Sequence, residues 1–289
     1  MSDGVSVVIP AKNEGGPLKE LLPRIKCLPE VHEIVVVDDG STDDTAKVCE
    51  EAGVRVVRHH YSKGNGAAIK SGARAATGDV LVFMDADGQH DAADIPRLLA
   101  KLNEGYDLVV GARGKGSQAN FGRGIANGFY NRLASYMTGN SVSDLTSGFR
   151  AVFKSKFLQF LYLLPNGFSY PTTSTMAFFR AGYSVTFVPI EAAKRDGKSH
   201  IRPIQDGLRF LLIIFKIGTL YSPLKLFVPM AFALFVLGLG YYGYTFTMDG
   251  RFTNMSALLL TTSLTIFLVG LVSEQITALM YRDTDQGSD

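Results

Sequence analysis

Apolar runs rich in β-branched residues recur along the amino-terminal part of the chain, at Val5–Ile9, Ile34–Val37, Val54–Val57, Val80–Phe83 and Leu108–Val110. Between them lie stretches with a helical period. Leu18, Leu21, Leu22 and Ile25 share one face of a helix over 15–26, and the stretch after Asp38 reads as a tight turn and a helix that Ser41 or Thr42 would cap, with Gly53 just past its end. "GNGAAIKSGARAATG" is a small-residue helix bounded by glycines, and "DIPRLLAKLNEG" is another. Strands alternating with helices of this length predict an α/β fold, a mostly parallel, doubly wound sheet with helices on both faces. Further on, "FLQFLYLLP" is helix-like and "GYSVTFVPI" contains a strand, while 121–140 is rich in Gly and Asn without a clear period.

In an open α/β sheet, ligands bind outside the carboxyl ends of the strands. Charged and amide side chains collect there: Asn13 and Glu14, Asp38 and Asp39, Asp85 and Asp87, and Arg113. Four strand ends carrying such groups point to one shared crevice. Asp43 and Asp44 fit the start of a helix instead. In "VLVFMDADGQH" a buried strand runs into two aspartates one residue apart, which calls for a cation. A turn after Met84 brings both toward one ion, with the Gln89 carbonyl as a neutral oxygen ligand. All-oxygen ligation suits Mg²⁺ or Mn²⁺, which bind through one or two carboxylates together with substrate phosphates. No His/Cys set suited to Zn²⁺ is present, nor a Walker-type loop, nor a Gly-x-Ser-x-Gly elbow.

Two uncharged runs near the carboxyl end, Leu226–Met248 and Phe252–Ser273, are each long enough to cross a bilayer as a helix. Arg209, Lys216 and Lys225 precede the first and Arg282 follows the second. The positive-inside rule therefore places both chain ends in the cytoplasm. Tyr221 and Tyr281 would mark the inner interface and Tyr241, Tyr242 and Tyr244 the outer one. "PIQDGLRFLLIIFKIGTL" reads as an interfacial amphipathic helix. The 289 residues thus divide into a cytoplasmic domain over 1–200, an interfacial helix over 201–222 and a two-helix membrane domain with a short cytoplasmic tail over 223–289. "MSDGVSVVIP" lacks the basic and apolar regions of a signal peptide. Cys27 and Cys49 have no metal spacing and suit a reducing compartment. A net charge of +2 gives no support to nucleic-acid binding. Gly238, Gly240 and Gly243 in the first span would permit close packing against another helix, in a homo-oligomer included.

"VVIPAKNE", "VVVDDGSTDDT", "GDVLVFMDADGQHDAADIPRL" and "DLVVGAR" resemble the inverting family 2 glycosyltransferases of GT-A fold. "DLTSGFRAV" and "RDGKSHI", followed by an amphipathic helix and two spans, are similar to the polyprenyl-phosphate subgroup, which includes dolichyl-phosphate mannose synthases and undecaprenyl-phosphate glucosyltransferases. The resemblance implies a UDP- or GDP-sugar donor and a polyprenyl phosphate acceptor held at a lipid surface. By the same resemblance, Pro10, Ala11 and Glu14 would line the nucleotide pocket, and Asp38 and Asp39 would meet base or ribose. Asp85, Asp87 and Gln89 would hold Mg²⁺ or Mn²⁺ and the diphosphate. Arg113 and Arg123 would meet the acceptor phosphate, with Ser147 in the matching "SGF" turn.

Two departures from the subgroup stand out. Lys194 and Arg195 precede Asp196-Gly197, and Ser199 is followed by His200, where the usual basic loop has Arg three residues before the Gly and ends in Ser-Lys. "SYPTTST" stands where an acid is common after the "GF" segment. A phosphate acceptor is already anionic and needs no strong base; it needs cations against the repulsion of two phosphate-bearing substrates, and Arg113, Arg123, Lys194 and Arg195 are the candidates, with Arg202 either joining them or contacting headgroups. Three other readings compete: a growing polysaccharide or lipid-linked glycan as acceptor, a nucleotidyltransferase, and an inactive scaffold. The first wants a catalytic base such as a Glu-Asp pair and the second a basic glycine loop at the first strand, and neither is found.

Overall fold

The computed structural model describes residues 4–114, 121–167, 169–191 and 218–282, which fall into two units, one within 1–200 and one within 201–289. The first is built on a seven-stranded sheet: β1 (Val5–Ala11), β2 (Val31–Asp38), β3 (Arg55–Arg58), β4 (Val80–Phe83), β5 (Leu108–Arg113), β6 (Arg150–Phe153) and β7 (Val185–Ile190). Their order is β3-β2-β1-β4-β6-β5-β7. All neighbours run parallel except β6, which is antiparallel to both β4 and β5. The doubly wound reading holds, and β6 is the strand that the apolar pattern did not disclose. At four residues, with Arg150 as its first, it lacks a recognisable run.

Alternate residues of the strands feed two cores. Val7, Ile9, Val36 and Val82 pack with Leu18, Leu21, Leu22 and Ile25 of α1 (Gly15–Lys26), Val48 of α2 (Thr45–Glu51) and Leu98 of α4 (Ile95–Asn103). Val8, Val35, Val37 and Phe83 are buried on the opposite face. There α3 (Asn65–Ala75) crosses β1 and β2 so closely that a Cβ on Gly72 would lie 2.3 Å from Val8 Cγ1 and 3.0 Å from Val37 Cγ2. Gly72 therefore serves helix–sheet approach, while Gly64 and Gly66 let the start of α3 lie close to the backbone of 165–167. On the same face Phe83 meets Phe157 of α6 (Lys154–Leu158) at a tilt and the edge of Tyr170 in α7 (Tyr170–Arg180). The Gly/Asn-rich stretch forms α5 (Phe121–Thr138). The helix expected over "FLQFLYLLP" is confined to α6, after which 159–164 proceeds by turns.

The second unit is a hairpin of α8 (Pro223–Asp249) and α9 (Asn254–Arg282), each long and apolar enough to span a bilayer. At 1.5 Å per residue each is about 40 Å long, more than the hydrocarbon core requires. Gly250, at φ +61°, ends α8 by donating to the Phe246 carbonyl. Gly238 lies against Leu259 and Leu260, and Gly270 against Phe227, so two of the span glycines bring these helices together, while Gly240 and Gly243 face open space. Ser263 Oγ donates to the Ala231 carbonyl at 2.8 Å. At the other end the backbone N–H of Leu224 donates to Glu274 Oε2 at 3.3 Å, placing a carboxylate from α9 on the amino end of α8. Most of the outward surface is apolar, including Phe232, Leu237, Leu264 and Val272. The expected interfacial helix lies outside the described residues except for 218–222.

Overpacking the α3 contact tests this arrangement. Gly72→Ala is expected to destabilise the protein by about 1–3 kcal/mol, because neither strand can retreat without disturbing the opposite core; thermal and urea unfolding of both forms would measure it.

Candidate active site

The carboxyl ends of β1 and β2 are bound into one scaffold. Beyond β1, Asn13 takes a left-handed conformation, at φ +57°. Its N–H donates to Ser41 Oγ at 2.9 Å and its side-chain oxygen accepts from Thr42 N at 2.8 Å. Glu14 N donates to Thr45 Oγ1 at 3.0 Å. Asp43 accepts from Thr45 N and Gly15 N, and Asp44 pairs with Lys19 at the surface, so both serve the start of α2 rather than the crevice.

Asp38 and Asp39 are both buried, with different duties. Asp38 accepts from Ser41 N at 2.8 Å and faces Arg58 Nε at 3.6 Å, which directs its carboxylate into its own turn. Asp39 lines the crevice, but its two oxygens accept from four protein donors: His59 Nδ1 (2.7 Å), Ser62 Oγ (2.8 Å), Lys63 N (2.8 Å) and Gly64 N (2.9 Å). Four bonds fill a carboxylate's accepting capacity. Through these bonds Asp39 clamps the loop leading into α3. His59, whose Nε2 meets Ser71 Oγ at 2.9 Å, completes the clamp. Burial pushes Asp39 upward, and His59 with the other donors more than reverses this, holding it at about 2.

Between this loop and β4 lies a cleft of about 430 Å³. Pro10, Ala11, Glu14, Asp85 and Asp87 line it, together with Lys12, Asp39, Ser62, Gly64 and Asn65. Asp38 and Gln89 are not among its lining residues. β4 ends at Phe83, and the turn through Gly88, at φ +73°, brings both aspartates to the same cleft. Asp87 Oδ1 accepts from Gln89 N at 3.2 Å, so the glutamine's backbone supports the turn. Behind Asp85 stands Gly148, where any Cβ would lie 2.6 Å from Oδ2. Burial raises the pKa of Asp85, as does the charge of Asp87.

Because β6 runs antiparallel, its amino end reaches this same edge, carrying Ser147 and Gly148 beside Asp85. Arg113, at the end of β5, reaches the edge but is engaged by Asp144: Nε to Oδ2 at 2.8 Å, Nη2 to Oδ1 at 3.1 Å, and Nη2 also to Thr146 Oγ1 at 2.7 Å. Burial acts to lower the Arg113 pKa and raise that of Asp144; their mutual bond outweighs it in both cases. Asp144 was absent from the expected set, and its place three residues before "SGF" was the available signal. Ser147 is fully buried, and its Oγ has no partner. His90 stacks on Phe149 with its Nδ1 unpartnered, and burial lowers its pKa. Arg123 lies in α5 with its side chain outside the described residues; Lys194, Arg195, His200 and Arg202 lie outside them altogether.

Among the described residues, no three His, Cys, Asp or Glu are grouped as a metal cage. The donor chemistry nevertheless fits Mg²⁺ or Mn²⁺. These ions bind through one or two carboxylates and take their remaining oxygens from water and substrate phosphates, and a carboxylate whose pKa is raised by burial and a like charge gains from a cation.

Residues 6–161 match the family model described as glycosyl transferase family 2, and residues 222–279 match the GtrB C-terminal hairpin. The chain is 29% identical over 245 residues to glycosyltransferase AglJ of Haloferax volcanii, covering 82% of this chain and 80% of AglJ. It is 39% identical over 157 residues to the undecaprenyl-phosphate 4-deoxy-4-formamido-L-arabinose transferase of Proteus mirabilis, covering 51% and 48%; the chain thus spans about half the length of that relative. The crystal structure of glucosyl-3-phosphoglycerate synthase from Mycobacterium tuberculosis in complex with Mn²⁺, UDP and phosphoglyceric acid aligns at TM-score 0.58 and 25% identity, covering 73% and 78% of the two chains.

The Asp39 clamp has a pH signature. Its folded pKa lies below the ordinary 3.8, so its stabilisation is present in full above about pH 4 and is lost as pH falls toward 2. Asp39→Asn is expected to cost about 2 kcal/mol at pH 7 and to flatten this acid limb, read from urea midpoints across pH.

Proposed function

The chain belongs to glycosyl transferase family 2, and we propose that it transfers one sugar from a UDP- or GDP-sugar to a polyprenyl phosphate at a membrane surface, with inversion at the anomeric carbon. The observation that carries this reading is the presence, in one chain, of a carboxylate-lined cleft at the carboxyl edge of the family domain and a hairpin matching the GtrB type. The relatives named for undecaprenyl-phosphate transfer support the acceptor, and the neighbour crystallised with Mn²⁺ and UDP supports the donor and the metal.

Pro10, Ala11, Glu14 and the Ser62–Asn65 loop hold the nucleotide in this reading. Asp85 and Asp87 hold Mg²⁺ or Mn²⁺, which when bound neutralises the charge that develops on the departing diphosphate. Gly148 keeps Asp85 in place, and the Arg113–Asp144 pair stiffens the edge where the acceptor approaches. Arg113, Arg123, Ser147, Lys194 and Arg195 form the acceptor side: an anionic phosphate oxygen needs cations to bring it near a second anion, and it needs no strong base. The hairpin keeps a lipid acceptor within reach, because a polyprenyl chain does not leave the bilayer. By the distribution of basic residues, the family domain and both chain ends are cytoplasmic, and 201–222 lies along the interface.

Purified protein in detergent, supplied with Mn²⁺ or Mg²⁺, a short polyprenyl phosphate and a panel of UDP- and GDP-sugars, should release nucleoside diphosphate with at least one donor. Asp87→Ala should lower that rate by about 100-fold or more. Release that proceeds without the lipid phosphate would refute the acceptor; release that survives Asp87→Ala would refute the site.

A further inference from the structure

Arg150 opens β6, opposite Phe83 of β4 and Val110 of β5, and is fully buried. Its hydrogen bonds among the described residues all go to neutral acceptors. Nη1 donates to the Pro171 carbonyl (2.9 Å), Ser174 Oγ (2.7 Å) and Thr175 Oγ1 (3.2 Å), and Nη2 donates to the Ser147 carbonyl. Nε has no partner. The guanidinium stands 5.6 Å from the centre of the Tyr170 ring. Tyr170, also fully buried, donates its hydroxyl to the Gly148 carbonyl at 3.1 Å.

The two carbonyls of the Ser147–Gly148 turn are thus held by two neighbouring side chains, and the opposite side of that turn is Asp85. A Cβ on Gly148 would lie 2.6 Å from Asp85 Oδ2, so any shift of the turn is felt by the carboxylate. A merely space-filling role would be met by an apolar side chain at 150, without removing a charge from water. What an apolar side chain lacks is the ability to tie the start of α7 to the turn. The hydroxyl-rich segment "SYPTTST" supplies the partners that make this possible: Tyr170, Ser174 and Thr175, with Thr172 Oγ1 reaching the Leu145 carbonyl at 3.4 Å.

We infer that Arg150 and Tyr170 are positioning residues that fix the Ser147–Gly148 turn against Asp85 and so hold the paired carboxylates in their binding geometry. The inference rests on the reading of Asp85 and Asp87 given above. It assigns to "SYPTTST" a share in building the site from behind.

Full-length protein in detergent would be titrated with Mn²⁺ alone, the free ion being followed by electron paramagnetic resonance, beside a thermal melt of each variant. Tyr170→Phe removes one oxygen and should melt close to the parent while weakening Mn²⁺ binding by about tenfold, the range for groups that orient metal ligands. Arg150→Lys should weaken it less than Arg150→Met. Leu22→Ala, a core change on the other face of the sheet, should lower the melting temperature and leave Mn²⁺ binding alone. Parent-like binding in folded Tyr170→Phe would overturn the inference, and so would weakening that merely tracks melting temperature and is shared by Leu22→Ala. Should Arg150→Met not fold, Tyr170→Phe and Arg150→Lys decide. Asp85→Asn separates the two readings. If it loses Mn²⁺ while Tyr170→Phe keeps it, only the positioning role falls. If Asp85→Asn binds as the parent does, the carboxylate reading falls and the positioning role with it.

Discussion

Two carboxylates on one short turn at the end of a buried strand repel each other, and burial strengthens the repulsion by removing the water that would screen it. Asp85 and Asp87 are in this position, and much of the surrounding structure follows from keeping them together without letting either turn away. The flanking turn needs a glycine at positive φ, which Gly88 provides. The space behind Asp85 must be filled by backbone, because even a methyl group at 148 would strike its oxygen. A strand entering the sheet against the prevailing direction delivers that backbone, since only an antiparallel strand begins at the edge where the parallel ones end.

The same edge shows how polar groups are kept from competing with substrate. Asn13, Asp39, Asp43 and Asp144 are each occupied by donors from another part of the chain. Loops that carry function are thereby given the rigidity that helices and strands have by themselves. Besides Asp39, the groups lining the cleft are few: the carboxylates of Glu14, Asp85 and Asp87, a lysine, an asparagine, and the backbone and small side chains of three loops.

How much of this was legible beforehand depended on the range of the interaction. The five β-branched runs and the α1 stripe are local patterns, and they became β1 to β5 and α1 at nearly the expected positions. The place of Asp85 and Asp87 at the crevice was legible because two carboxylates one residue apart directly follow an apolar run. The short β6 was not, since four residues beginning with arginine carry no period, and its placement rests on neighbours far away in sequence. Nor were the donors to Asp39, since Ser62, Lys63 and Gly64 lie in a loop more than twenty residues later. Nor was the partner of Arg113, since Asp144 is 31 residues away. Motif position gave the neighbourhood of these side chains, and only tertiary contact gave their direction.

The carboxylate that α9 lends to α8 has a bearing on how the hairpin comes into being. Leu224 and Glu274 are 50 residues apart, so while the ribosome is still making the second helix the first has an open amino end, with amide protons in need of an acceptor. The first helix gains this acceptor only when the second has come down beside it, so the end of one helix is completed by residues made long after it.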